Sequence, residues 1–283
     1  MNLRQIRKKI KAVNNIKKIT NAMELISSIK MKRAQGQYKE GKLYRDFLHQ
    51  MVTELADKLE KEISPFFKEG EGTKNLYLVI SSNKGLCGNF NFAIFRKIYK
   101  EIDLEKGDFI VYGKKGAEFI NRSFGKILAD FSSYKLPSVI PPVFDYLLKT
   151  FLSGEYQNVF IVYNRFISST VYEPTIEKII PLTINKAKEE ISSVTSQYII
   201  EPSPKEILDS LIKDSIEQKI RDCFLSSQVS EHASRMIAMK NATDNAKEIG
   251  YQLTLIRNKL RQEKITYELL DMITAKESID KNN

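Results

Sequence analysis

The chain has 283 residues, 42% of them hydrophobic and 28% charged, a composition typical of a soluble protein with one or two globular domains. It contains no apolar run near the roughly 18 residues of a membrane-spanning helix, and we expect no secretory signal because no hydrophobic stretch follows the first positive charges. Its two cysteines are too far apart in sequence to suggest a disulfide framework. The formal net charge of +10 indicates an acidic partner, and charge alone leaves open a nucleic acid, an anionic membrane surface or an acidic protein.

The first predicted element is a long helix from residue 3 to about residue 60. Apolar residues recur along it at gaps of three and four, which is the spacing of one helix face, and Ser64-Pro65 ends the pattern. Gly36 and Gly41 weaken the middle of this helix by about 1 kcal/mol each.

This first helix carries all of the excess positive charge. Residues 1–45 contain 13 lysines and arginines but only two acidic residues, so the remainder of the chain is close to neutral. A charge run is usually a solvated helix face, but this one lies beside an unbroken apolar stripe with almost no balancing acid, which favours an acidic partner. We call the following residues the basic arm: Arg7, Lys8, Lys9, Lys11, Lys17, Lys18, Lys30 and Arg33.

The middle of the chain is rich in turns and alternates between short strand and helix patterns. All eight prolines lie between Pro65 and Pro204, and nine of the 12 glycines lie between Gly70 and Gly154. Predicted strands are Leu76–Ile80, Phe109–Tyr112 and Val159–Phe166, and predicted helices are Phe90–Ile102, Lys114–Phe124 and Pro142–Leu152. Extended segments over Ser169–Ile184 and Ile191–Ile200 are expected to form antiparallel edge strands. The alternation predicts a small, open, Rossmann-like α/β domain with a largely parallel sheet.

One glycine-rich turn, residues 81–91, follows a predicted strand and opens a predicted helix. A nucleotide-binding loop would lie at this place, and an enzyme centred on it is one hypothesis. The spacing of Gly85 and Gly88 does not fit GxGxxG, and no acidic residue ends a second strand at the expected distance. The pattern therefore favours a structural strand-to-helix turn.

The last predicted element is a helix over residues 206–275 with a single glycine and no proline. Ser203-Pro204-Lys205-Glu206 has the pattern of a capping box with proline at the first helical position. Seventy residues at 1.5 Å each span roughly 105 Å, about twice the diameter of a compact globule of this length, so we expect the helix to project and its apolar stripe to need a cover.

The two long helices lead into and out of the central domain, so they are predicted to pack as an antiparallel coiled coil. The second helix should outlast the first by roughly ten residues. The predicted domains are an N-terminal coiled-coil helix at 1–64, a central α/β foot domain at 65–204, and a C-terminal coiled-coil helix with a polar tail at 205–283.

Catalytic and metal-binding patterns are largely missing from the sequence. His49 and His232 are the only histidines, and neither Cys87 nor Cys223 has a CxxC partner, so we predict no metal site. GxSxG, HExxH and Walker A patterns do not occur. We therefore expect no catalytic residue, no cofactor and no small-molecule substrate.

Three separated stretches resemble the gamma subunit of F-type ATP synthases, the central rotor shaft. The first runs from Ile6-Arg7-Lys8-Lys9-Ile10 through Thr20-Asn21-Ala22-Met23-Glu24 to Lys30-Met31-Lys32-Arg33-Ala34, and the second is Gly85-Leu86-Cys87-Gly88 with Asn91. The third runs from Arg235-Met236-Ile237-Ala238-Met239-Lys240-Asn241-Ala242-Thr243-Asp244 to Asn258, Arg261-Gln262 and Ile265-Thr266-Tyr267-Glu268-Leu269. Their order and spacing match from residue 3 to about residue 273.

The resemblance implies a noncatalytic subunit that couples rotation to conformational change at catalytic alpha/beta sites and to ion translocation through a c-ring. The implied partners are the hexameric ring of alpha and beta subunits, the epsilon subunit and the c-ring, with no nucleic acid. By matching position, the implied rotor–stator contacts are Met23, Arg235, Arg261, Gln262, Thr266 and Glu268. A match that begins at residue 3 is expected of a bacterial chain without a presequence, peripheral on the cytoplasmic face of the cell membrane.

Some positions depart from the family's pattern. The family usually has Asp where Asn83 stands and Tyr where Arg257 stands, and the end of this chain is polar rather than small and apolar. These departures leave open the shaft of a specialised F-type-like ATPase that is not coupled to a proton channel. The basic arm leaves open a different class, a basic coiled-coil protein that binds nucleic acid with strong salt dependence.

Overall fold

The computed structural model describes residues 2–58, 64–182 and 204–280. The chain forms two compact units. We call Ser28–Arg235 the sheet unit, and Met1–Ser27 together with Met236–Asn283 the helical unit.

Six helices and five strands are described. The long first helix pattern gives α1 (Leu3–Glu40) and α2 (Lys42–Lys58), and the last helix is α6 (Pro204–Asp280). Between them lie, in chain order, a short 3₁₀ helix at Pro65–Phe67, β1 (Lys74–Ile80), α3 (Phe90–Glu101), β2 (Gly107–Tyr112), α4 (Lys114–Arg122), β3 (Lys126–Asp130), α5 (Ile140–Leu152), β4 (Tyr156–Phe166) and β5 (Tyr172–Ile180).

The sheet has the strand order β3-β2-β1-β4-β5, with parallel pairing from β3 to β4 and β5 antiparallel at one end. This is the Rossmann-like α/β domain with a largely parallel sheet that the sequence predicts, and the predicted antiparallel edge strand is β5. The order along the chain reverses between β1 and β4, the place where open α/β sheets bind ligands when they bind any.

Two hydrophobic cores cover the two faces of the sheet. One face packs on α5 and on the first turns of α6, where buried Leu208, Ile212, Ile216 and Ile220 repeat every four residues. The other face packs on α3 and α4, with Ile94, Ile98 and Ile120 fully buried. The central strands are apolar on both sides because helices cover both faces.

The three strands and three helices predicted between Leu76 and Phe166 are all found, with ends that differ by a few residues. The sequence analysis missed β3, because Lys126–Asp130 is a five-residue edge strand with both ends exposed and no strong apolar pattern. The predicted extended segment Ile191–Ile200 and Ser203 of the predicted capping box lie outside the described residues.

The single first helix that the sequence predicts is two helices, α1 and α2, with a turn at Gly41. Arg45 organises this turn: its guanidinium donates a hydrogen bond to the Tyr38 carbonyl at 3.1 Å and stacks 5.2 Å from the centre of the Tyr38 ring. The bond satisfies a carbonyl at the end of α1 that the interrupted helix leaves without an intrahelical partner.

In the helical unit, α1 and α6 pack antiparallel. The Thr243 hydroxyl donates a 2.7 Å hydrogen bond to that of Thr20, and Gly250 lies beside Val13. Both contacts give the same antiparallel register, which places Leu3 level with about residue 260 of α6. The helix therefore continues for about 20 residues without α1, twice the predicted overhang, because the pairing is shifted along α6.

Two contacts join α2 to α6 within the sheet unit. The Tyr44 hydroxyl donates to Asp214 at 2.5 Å, and Arg45 Nε lies 2.6 Å from Asp222 Oδ2. Burial raises the pKa of the Asp222 carboxyl from 3.8 to about 6, against the opposing effect of nearby cations on α2 and α6, namely Arg45, Lys219 and Arg221. A folded-state pKa above the unfolded one means that the folded chain binds this proton more tightly, so the resulting stabilisation is lost as pH rises through 6.

The substitution Asp222→Asn removes this titration. We expect the free energy of unfolding of the wild type, minus that of the variant, to be about 2 kcal/mol larger at pH 4 than at pH 7.5. Urea denaturation of the full chain at the two pH values measures it, with Asp145→Asn, an exposed carboxylate on α5, as the control. The same difference at both pH values would contradict the assignment.

Candidate functional site

At the carboxyl edge of the sheet, side chains of this protein accept hydrogen bonds from backbone N–H groups at the start of α4. The first amides of α4 point toward β1, as they would toward a bound phosphate. Ser81 Oγ accepts the Gly116 N–H at 2.8 Å, Asn83 Oδ1 accepts the Lys114 N–H at 3.0 Å, and Ser132 Oγ accepts the Gly113 N–H at 3.0 Å. These three N–H groups, which a bound anion would need as hydrogen-bond donors, thus already donate to side-chain oxygens.

Asn83 links two loops in a way that aspartate could not. Its Nδ2 donates to the Ser132 carbonyl at 3.1 Å while its Oδ1 accepts from Lys114. A carboxylate could accept from Lys114 but has no proton to donate to Ser132. Asn83 therefore has a structural role that aspartate could not fill.

The buried polar groups inside the 81–91 turn also have hydrogen-bond partners. Asn91 Oδ1 accepts the Ser82 N–H at 3.1 Å, and Asn91 Nδ2 donates to Ser82 Oγ at 2.8 Å and to Cys87 Sγ at 3.3 Å. Burial raises the pKa of the Cys87 thiol, which disfavours the nucleophilic thiolate. Cys223 is also a buried, free cysteine, and burial raises the pKa of its thiol.

The backbone of the turn is left-handed at two positions. Gly88 has φ of 57° and Leu86 has φ of 62°, whereas Gly85 does not require a glycine conformation and has open space around its Cα. A leucine in this region is an outlier that the surrounding structure must hold. Leu86 is also 63% exposed, so burial does not stabilise it there.

Helix α6 forms hydrogen bonds to the backbone carbonyls of this turn. Ser234 Oγ donates to the Cys87 carbonyl at 2.5 Å, and Arg235 donates to the carbonyls of Lys84 at 3.1 Å and Gly85 at 3.5 Å. Arg235 also pairs with Glu231 at 2.7 Å, and its side chain is only 11% exposed. The guanidinium therefore joins the helix to the turn with one planar group.

The environment of Arg235 keeps its neighbour His232 neutral. Burial, together with the nearby cations of Arg235 and Lys30, lowers the pKa of His232 to about 4. Burial also raises the pKa of Glu231, although Arg235 opposes this effect.

The other predicted contact residues of α6 lie past Leu3, the residue at which the antiparallel α1 begins. Every side chain from Arg261 to Lys276 is exposed, including Gln262, Thr266 and Glu268. Glu268 pairs with Lys264 at 3.3 Å, and the Thr266 hydroxyl bonds back to the Gln262 carbonyl at 3.0 Å. Exposed apolar side chains accompany them: Ile265, Tyr267, Leu269, Leu270, Met272 and Ile273.

The predicted residues on α1 are spread along the helix. Met23 is half-buried, and its carbonyl accepts the Ser27 hydroxyl at 2.7 Å. The basic arm is exposed except for Lys17, which is half-buried. Each unit therefore holds its own set of candidate contacts, and among the described residues Arg235 and the Gly85–Gly88 turn form one bonded cluster.

The sequence analysis missed most of the side chains that build this cluster. Ser81, Asn83, Ser132 and Ser234 are short polar residues that no motif singles out. One signal was available: Ser226, Ser230 and Ser234 recur every four residues on one face of a predicted helix.

Within the described ranges, no group of three or more His, Cys, Asp or Glu side chains is placed to hold a metal ion. None of the helices in the described part of the chain is both long and apolar enough to cross a membrane.

Comparison with known proteins identifies the family. The ATP synthase family model matches residues 2–279. The ATP synthase gamma chain of Akkermansia muciniphila is 34% identical over 290 residues, covering 99% of both chains, and that of Geobacter sp. (strain M21) is 34% identical over 289 residues, covering 98% of this chain and 99% of the relative.

Solved structures share the fold. The central stalk and c-ring structure of Tetrahymena thermophila mitochondrial ATP synthase contains a chain with 24% identity and a TM-score of 0.61, aligned over 79% of this chain and 99% of that one. The rotor of the Euglena gracilis enzyme has a chain with 17% identity and a TM-score of 0.65, aligned over 93% and 98%. Because the family model and both 34%-identical relatives match nearly the whole chain, the chain belongs to the ATP synthase gamma chain family.

Proposed function

We propose that this chain is the noncatalytic central-stalk rotor subunit of an F-type ATP synthase. The observation that carries the proposal is the relationship to bacterial gamma chains over 99% of the sequence. The hydrogen bonds at the carboxyl edge of the sheet support a noncatalytic role. The N–H groups at the start of α4, which could bind a nucleotide phosphate, already donate to the side chains of Ser81, Asn83 and Ser132. Nothing in these comparisons supports the nucleic-acid or nucleotide-binding hypotheses.

In this role the chain works by coupling rather than chemistry. A rotor that presents a different face to each of three catalytic sites favours a different conformation at each of them. It can shift those conformations only by the difference in contact free energy between states. We propose the domain division 1–64, 65–204 and 205–283 for this task, with the coiled coil inside the alpha/beta ring and the foot domain toward the epsilon subunit and the c-ring on the cytoplasmic face of a bacterial membrane.

The contacts with the ring would come from exposed polar groups on rigid helices. Arg261 and Gln262 lie where α6 has no α1 beside it, and an exposed guanidinium can grip a carboxylate through two hydrogen bonds. Thr266 and Glu268 flank them within two turns. The basic arm, on α1, would face acidic loops of the beta subunits, which accounts for its unbalanced charge.

Co-expression with the alpha and beta subunits of the same organism tests the proposal. We expect one copy of this chain to co-purify with each hexameric ring and ATP hydrolysis to rotate it. Recovery of active rings from which this chain is absent would refute the rotor assignment.

The same complex tests the contact residues. Arg261→Ala with Gln262→Ala should reduce the torque measured on the rotating chain by a factor of about two or more, because two rotor–stator hydrogen bonds that each contribute about 1 kcal/mol or more are lost. The matched control is Asp244→Ala with Lys247→Ala, which removes an exposed ion pair elsewhere on α6. Equal torque in the wild type and in the Arg261/Gln262 variant would argue against contacts at these positions.

A further inference from the structure

Helix α6 carries a line of buried serines where it crosses the carboxyl edge of the sheet. Ser226, Ser230 and Ser234 are 3%, 0% and 8% exposed, and their spacing of four residues places them on one face. The preceding turns of the same helix bury only apolar side chains and Cys223 against the sheet as far as Phe224, whereas buried Val229 and Ala233 lie among the serines farther along. The contact thus gains hydroxyl groups beside its apolar packing within a few residues.

Each hydroxyl of this line bonds to the backbone of a strand or turn of the sheet. Ser226 Oγ accepts the N–H of Phe166 at 2.8 Å, Ser230 Oγ donates to the carbonyl of Asn164 at 3.3 Å, and Ser234 Oγ donates to that of Cys87 at 2.5 Å. The single hydroxyl proton of Ser230 is shared between the Asn164 carbonyl and the Ser226 carbonyl of its own helix, which lies at 2.9 Å. We call Ser226, Ser230 and Ser234 the serine ladder.

The ladder differs physically from the apolar packing that precedes it. Burial of apolar surface is non-directional, so a helix held by it alone can turn or slide to another packing at modest cost. A hydrogen bond weakens steeply once its angle falls toward 120°, and a buried hydroxyl without a partner is costly. Turning α6 by one residue, about 100°, would break all three ladder bonds together.

We propose that the serine ladder fixes the rotational setting of α6 on the sheet and so transmits torque between the shaft helix and the foot domain. The inference rests on the proposed rotor function. The ladder bonds both β4 and the turn after β1, the two strands on either side of the point where the strand order reverses, so the load reaches the centre of the sheet. Arg235 extends the same line by binding the carbonyls of Lys84 and Gly85.

Single-molecule rotation of the complex with alpha and beta subunits tests the ladder. A bead is attached to the foot domain through Lys100→Cys, an exposed position on α3, since the native cysteines are buried. The triple variant Ser226→Ala, Ser230→Ala, Ser234→Ala removes three oxygen atoms. Ser227→Ala is the matched control, because Ser227 is also buried on α6 but forms none of the ladder bonds.

We expect the angular variance of the bead on a stalled rotor to rise about two-fold or more in the triple variant, because the helix loses the three directional bonds of the ladder and Arg235 keeps its bonds only at the turn after β1. The wild type and Ser227→Ala should agree. If the serines only stabilise the fold, the melting temperature will fall while the angular variance stays at the wild-type value, and the inference is overturned.

Two further outcomes are informative. If the triple variant does not assemble, the single variants Ser230→Ala and Ser234→Ala replace it, and each should raise the variance by a smaller amount; no rise in either would also overturn the inference. If the wild type itself neither assembles nor rotates, the proposed function fails. That result differs from a rotating wild type whose stiffness is insensitive to the ladder.

Discussion

Replacing Phe224 with alanine is expected to lower the free energy of unfolding of the sheet unit by about 3–5 kcal/mol. Phe224 is fully buried where α6 meets the sheet, and its ring packs edge-to-face on Tyr112 with centroids 5.0 Å apart. The substitution leaves a cavity between elements that are far apart in sequence, and the rigid sheet can fill it only in part.

Native-state hydrogen exchange of the β1 amides measures this loss, because central strands exchange only through global opening of their unit. Phe124→Ala is the matched control, since Phe124 is 97% exposed and the same atoms are removed from water-facing surface. The control should change the free energy of unfolding by less than about 0.5 kcal/mol. Equal effects of the two substitutions would show that α6 is not part of the core.

Periodicity made most of the fold predictable. The four-residue apolar repeats of α1 and α6 and the buried runs of β1, β2 and β4 are strong local signals because burial selects the same residue class at every repeat. Two features had no such signal. The break at Gly41 depends on Arg45 reaching back to Tyr38, and the register of α1 on α6 depends on contacts such as Thr20 with Thr243.

The candidate site was predictable in a different way. The resemblance to the family selected Met23, Arg235, Arg261 and Gln262 by position, but position alone does not tell whether a side chain bonds inside its own chain. Ser81 and Asn83 satisfy amides of α4, which follows them by about 30 residues, and only the folded topology brings the two together. Such long-range polar pairs leave no periodic trace in a sequence.

The second large effect is expected from Arg235→Ala, which should lower the free energy of unfolding of the isolated chain by about 3 kcal/mol. The Arg235 and Glu231 side chains are 11% and 20% exposed, and removing the guanidinium leaves the Glu231 carboxylate without its cation in a site where burial already raises its pKa. The carbonyls of Lys84 and Gly85 lose their donor as well.

Adding Glu231→Gln separates the charge from the rest of this effect. A neutral amide needs no cation, so the double variant should recover about half of the stability lost in Arg235→Ala, as measured by urea denaturation. If Arg235 acted only on a partner subunit, Arg235→Ala would leave the isolated chain as stable as the wild type and impair only the assembled complex. A loss of stability in the isolated chain together with an impaired complex would mean that the guanidinium first orders its own turn. Any contact that Arg235 makes with a catalytic subunit would then start from a position fixed by Glu231 and the turn carbonyls.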